Sequence, residues 1–173
     1  MTECNVRGNK LDSESAHTLA KVATEKRIML FGIKHDQTEA NFTRQGLGTV
    51  DTILIASDLR VTAVLNKIVL SSNKIKDEGA IALGEALKIN KSLKELVLDS
   101  CEIGPDGGKA LAAALSEGTA VLTACSLLKN KLDVESATML AKIGTEKRIM
   151  LSGMKQDQTE ADFYNKGLQL ADA

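Results

Sequence analysis

Residues Met1 to Thr52 align without a gap with Leu122 to Ala173, and 30 of those 52 positions are identical. The heptapeptide TEKRIML stands at Thr24 to Leu30 and again at Thr145 to Leu151. Inside this 121-residue period runs a shorter one, the interval from Leu65 to Leu93. Self-similarity at periods of about 20 to 50 residues belongs to stacked arrays, in which each unit buries its apolar face only against its neighbours. The chain is therefore expected to form an elongated stack with one continuous core.

The short period is clearest in the middle of the chain. Leu65, Ile68, Leu70, Asn73 and Ile75 follow the spacing LxxLxLxxNxL, and Leu93, Leu96, Leu98, Cys101 and Ile103 repeat it one period later. Leu122, Cys125, Leu127, Asn130 and Leu132 repeat it once more, after an interval one position longer. Two apolar residues in LxL share one face of a short strand, and the Asn or Cys that follows can satisfy backbone groups where the chain turns inward. Helical spacing takes over next, over Asp77 to Leu87 with Ala80, Leu83 and Leu87 on one face, and over Pro105 to Leu115 with Ala110, Leu111, Ala114 and Leu115. Pro105, the one proline, fits the first helical position, where its missing N–H costs nothing.

This pattern resembles the leucine-rich repeat family, and the 28- and 29-residue lengths with Asn or Cys at the turn resemble its ribonuclease-inhibitor-like subtype. The resemblance implies an α/β fold: a right-handed, curved βα solenoid with short parallel strands inside and helices outside. Weaker units follow from the strong ones. Met1, Cys4, Val6, Asn9 and Leu11 match the unit at Leu122, and Ala40, Phe42, Gln45 and Leu47 mark another, with a helix over Asp51 to Leu59. Repeat starts near positions 1, 37, 65, 93, 122 and 158 give about six units in one domain over 1–173, the first of them stretched to run from 1 to 36.

Composition narrows the function classes. The hydrophobic content is 43% with three Phe, one Tyr and no Trp, so the core is aliphatic. A net charge of −1 with mixed signs gives no electrostatic footprint for nucleic acid, and no apolar run is long enough for membrane insertion. Three cysteines, Cys4, Cys101 and Cys125, fall at inward or turn positions and read as small buried hydrophobes, which favours a reducing, cytoplasmic setting without excluding an organelle. His17 and His35 become Thr138 and Gln156 in the second copy, so both read as surface residues. No phosphate-loop, nucleophile-elbow or zinc-protease motif occurs. Neither catalysis nor a cofactor nor a metal is expected.

Partner-binding candidates come from two places. Positions facing outward on the strands and their turns include Arg7, Arg44, Asp99, Lys129 and Tyr164, among smaller residues such as Asn5, Ser126 and Leu128. Tyr164 stands out there as an anchor, because strong interfaces favour Trp, Tyr and Arg. The second place is the inserted stretch that lengthens the first unit, where 24–40 and 145–161 agree at 14 of 17 positions. There, Ile28, Met29 and Leu30 are expected to pack as a structural unit; alternatively, Lys26, Arg27, Lys147 and Arg148 present paired basic groups to an acidic partner.

Neither end carries a visible polar cap, which suggests a fragment of a longer array, end-to-end self-association or ends buried in a complex. The expected function is a non-enzymatic scaffold for protein partners. A structural or linker subunit contacting its assembly by edges and ends is the alternative. Regulation of a small GTPase or a nuclease is implied only by the resemblance.

Overall fold

A computed structural model describes residues 2–119 and 121–151. Strands and helices alternate in the order β1 (Thr2–Glu3), α1 (Ser13–Lys26), β2 (Ile28–Met29), β3 (Glu39–Asn41), α2 (Thr49–Val61), β4 (Lys67–Val69), α3 (Lys76–Leu87), β5 (Glu95–Val97), α4 (Pro105–Glu117), β6 (Ala124–Ser126) and α5 (Val134–Lys147). Every strand pairing is parallel. In the sheet β3-β4-β5-β6, Ala40 sits opposite Ile68, Ile68 opposite Leu96, and Leu96 opposite Cys125, so the strand register advances by one repeat at each step.

Each strand sends its central residue into the core: Ala40, Ile68, Leu96 and Cys125 are buried. The chain then turns through a residue with left-handed backbone, which recurs once per unit as Gly8, Arg44, Ser72, Ser100 and Lys129. Behind that turn stands the asparagine of the repeat. Asn73 Oδ1 accepts from the backbone of Gln45 and Leu47 in the preceding turn, while its Nδ2 donates to Phe42 O and Leu70 O. Asn130 does the same with Cys101, Ile103, Leu98 and Leu127. Four hydrogen bonds from one side chain join two turns that would otherwise leave buried backbone groups unpaired.

The helices stack in chain order, α1 on α2, α2 on α3, α3 on α4, and α4 on α5. Pro105 opens α4 as expected. Helix α2 is flanked on both sides, and nine of its residues, including Thr52, Ser57 and Asp58, are buried.

The stretch after α1 supplies a strand of its own. Residues 28–29 pair with β1, so β1 joins β2 in a separate two-stranded sheet. Met29, Leu30, Phe31 and Ile33 are all buried, which agrees with packing of the apolar half of this stretch. The second copy repeats the arrangement: Met150 bridges Ala124, and Cys125 N donates to Met150 O at 2.8 Å as Cys4 N donates to Met29 O at 2.8 Å.

One expectation fails at the first unit. Cys4 is exposed, whereas Cys101 and Cys125 are fully buried. Among the described residues no strand lies on the outer side of β1, so the inward-turning position has nothing to turn against.

Candidate functional site

The strand side of the fold carries its most distinctive cluster where the residues following β1, β2 and β3 meet. The Arg7 guanidinium lies 5.2 Å from the centre of the Phe31 ring and 5.8 Å from that of Phe42. The two rings meet edge to face, 5.4 Å apart at 78°. Arg7 also donates to the Gln45 side chain, and its backbone N–H donates to Asn5 Oδ1 at 3.0 Å. Cation–ring attraction and the hydrogen bond hold the exposed guanidinium in place. Arg44 follows Phe42 in the exposed left-handed turn. An arginine on an aromatic platform is the kind of preordered group that dominates interfaces. Sequence reasoning placed Arg7 and Arg44 on this face but missed both phenylalanines, because Phe31 arrives from the inserted stretch.

Toward the middle of the sheet the face becomes small and paired. Lys67 Nζ lies 2.8 Å from Glu95 Oε2, and that hydrogen bond leads the effects that raise the lysine pKa. Asp99 is engaged internally: it accepts from Ser126 Oγ at 2.6 Å and from Leu128 N at 3.0 Å. Ser126 and Leu128, read from sequence as outward, are buried at 2% and 5% exposure. Lys129 is exposed in its left-handed turn. Tyr164 lies outside the described residues.

The basic pairs sit at the ends of matching helices. Lys26 and Lys147 are the last residues of α1 and α5, and Arg27 and Arg148 cap them in left-handed backbone at φ 55° and 57°. All four are exposed. Both helices also start alike, with Asp12 and Asp133 accepting from the backbone of Ser15 and Ser136 at 2.8 Å. The basic pairs and the Arg7 platform belong to different parts of the fold, helix ends and strand side.

Beneath the platform lies a carboxylate that sequence reasoning did not single out. Asp58 on α2 is fully buried and takes the backbone N–H groups of Leu30 at 2.5 Å and Phe31 at 2.9 Å. Burial pushes its pKa up to about 6, against the lowering effect of those two donors. It positions Phe31, and through Phe31 the platform.

The helix side has a groove of about 480 Å³ between α1 and α3, lined by the apolar Ala20, Ile53, Ala56 and Ala82 and by the charged Lys21, Arg60, Glu78 and Glu85. His17, also there, lies 3.8 Å from Glu78, and His35 lies 3.3 Å from Glu3; both are exposed. Among the described residues no group of three or more His, Cys, Asp or Glu could hold a metal ion, and no helix is long and apolar enough to cross a membrane.

The sequence matches the Leucine Rich repeat family over residues 64–84 and 90–112, most of the β4–α3 unit and most of the β5–α4 unit. Those two segments are leucine-rich repeats. No curated protein matches it by sequence. Among solved structures it is similar to leiomodin-1 actin-binding site 2, with a TM-score of 0.61 at 18% identity, covering 84% of this chain and 82% of that one. At that identity the likeness concerns the fold.

Proposed function

We propose that this leucine-rich repeat chain is a protein-interaction module whose principal contact surface is the strand side around Arg7, Phe42 and Arg44. The observation that carries the reading is the Arg7 guanidinium stacked over Phe31 and Phe42 and bonded to Gln45. This is an exposed cation held against two aromatic rings on an otherwise small and polar face. The partner is a protein with an acidic patch, since both Arg7 and Arg44 are exposed there. The actin-binding site of leiomodin-1 is a protein-binding structure of similar fold, and the reading agrees with that use.

The reading extends to the architecture. A strand register that advances by one repeat per strand, with Asn73, Cys101 and Asn130 at the turns, supports the ribonuclease-inhibitor-like subtype and a curved solenoid of about six units in a single domain. Three free cysteines suit a reducing, cytoplasmic setting. Nothing in this function requires a catalytic group or cofactor, so the protein acts as a scaffold.

Affinity capture of partners from the native source, with wild type and with Arg7→Glu plus Arg44→Glu side by side, tests the proposal. A protein partner retained by wild type and lost from the double variant supports it. A partner captured equally by both would sink the strand-side assignment.

A further inference from the structure

The residues inserted after α1 meet the outward side chains of the first strand one by one. His35 donates its backbone N–H to Glu3 Oε1 at 3.3 Å and brings its ring Nδ1 to 3.3 Å from the same oxygen. Gly32, in left-handed backbone at φ 84°, makes room for Asn5, because an added Cβ would come 3.0 Å from Asn5 Nδ2. Phe31 lies against the Arg7 guanidinium. Glu3, Asn5 and Arg7 are all exposed. The backbone ladder runs on past β1, from Cys4 N to Met29 O and from Val6 N to Leu30 O. The chain therefore stays extended, with Glu3 and Arg7 about 13 Å apart on one side of it.

The duplication shows that this row and its supports change together. Positions 24–40 and 145–161 differ at three places, and two of them are Phe31 and His35, replaced by Ser152 and Gln156. Glu3, Asn5 and Arg7 become Ala124, Ser126 and Leu128, the last two buried. Strand β3, by contrast, repeats the order of the row within the first half of the chain: Glu39 and Asn41 are exposed, and Arg44 follows in the turn. Both rows thus run from an acid through an amide to an arginine. Lys67, the cation on the neighbouring strand, is already paired with Glu95.

We infer that these two rows are the contact surface for an extended segment of the partner that carries an acidic residue and, four positions away, a basic one. This rests on the strand-side function proposed above and adds to it a second charge and an extended backbone. The acid meets Arg7 and Arg44, and the base meets Glu3 and Glu39. Four residues of extended chain cover about 13 Å, the separation of Glu3 from Arg7. Among the described residues Asn5 and Asn41 use only their Oδ1 atoms within the protein, on Arg7 N and on Thr43, so their amide N–H groups meet backbone carbonyls of the segment. A unit stacked on the β1 edge would leave this face open, as Asn41 and Thr43 stay exposed on β3 while β4 pairs with it.

The probe is a library of random dodecapeptides displayed on phage and selected on the full chain. Selected peptides should carry an acidic and a basic residue with three residues between them, in one fixed order. Arg7→Glu plus Arg44→Glu, and separately Glu3→Lys plus Glu39→Lys, should each weaken their binding at least 10-fold, with folding checked by circular dichroism. If the lysine variant unfolds, Glu3→Gln plus Glu39→Gln takes its place with the same expected loss. Acidic peptides that depend on Arg7 and Arg44 but bind the Glu3 and Glu39 variant as they bind wild type overturn the inference and leave the strand-side function standing. Peptides indifferent to both variants overturn the two together. A selection that returns no charged pair at that spacing overturns the inference as well.

Discussion

The carboxylate of Asp58 receives the backbone N–H of Leu30 at 2.5 Å, so the strand inserted after α1 is tied to the helix of the following unit. The second oxygen takes Phe31 N at 2.9 Å. Both donors belong to buried residues, and removing their acceptor leaves them unpaired. Asp58→Ala should lower the unfolding free energy by about 2–5 kcal/mol, the cost of two orphaned N–H groups. Hydrogen exchange at Leu30 and Phe31 should accelerate beyond what that global loss explains. Protection unchanged at both amides would remove Asp58 from the account.

The same residue makes stability depend on pH in an uncommon direction. Its pKa rises from 3.8 in the unfolded reference to about 6 in the fold, so the folded chain holds a proton that the unfolded chain has already released. The contribution is fully present below about pH 4 and is lost as pH rises through about 6, by about 2–3 kcal/mol. Urea titrations across that window should show wild type weakening with pH relative to Asp58→Ala.

Thiol chemistry should divide the cysteines into one and two. Burial pushes the Cys101 and Cys125 thiols up to about 12, whereas Cys4 is exposed. A maleimide reagent at pH 7 should label Cys4 rapidly and the other two only after denaturation, because the thiolate is the reactive form. Rapid labelling of two or three sites would mean that the turn behind β5 or the core beneath β6 is open.

Close packing between α4 and α5 depends on Gly108. A Cβ there would stand 2.7 Å from Leu132 Cδ2 and 3.1 Å from Ser136 Cβ. Gly108→Ala should destabilise by about 1–3 kcal/mol despite the better helix propensity of alanine. A raised melting temperature would show that the two helices can separate without cost.

Much of this architecture was legible in the amino-acid sequence. The LxL strands, the inward asparagines and the Pro105 start of α4 follow from periodicity and local stereochemistry, and helices α3 and α4 begin within one residue of the expected position. Residues 28–29 were not legible as a strand. Two residues are too few for an alternating pattern, and their pairing with β1 is set by α1 packing on α2 and by the buried Asp58. In sequence, Asp58 looks like any charge on a solvated helix face; only the burial of α2 between two neighbours gives it a role. Phe31 was hidden for the same reason, and with it the aromatic support under Arg7. Cys4 misled because its spacing is that of an inward residue, while burial also requires a neighbour on the outer side of β1.

The Arg7 platform is the proposed place where a partner binds, and the basic pair at the end of α1 is its rival. With a captured partner in hand, titration calorimetry should compare Arg7→Glu plus Arg44→Glu with Lys26→Ala plus Arg27→Ala, each variant first shown to unfold like wild type. The account predicts at least a 10-fold loss of affinity for the first and less than a 2-fold change for the second, the 10-fold loss being about 1.4 kcal/mol. Binding weakened by the Lys26 and Arg27 changes and untouched by those at Arg7 and Arg44 would contradict it.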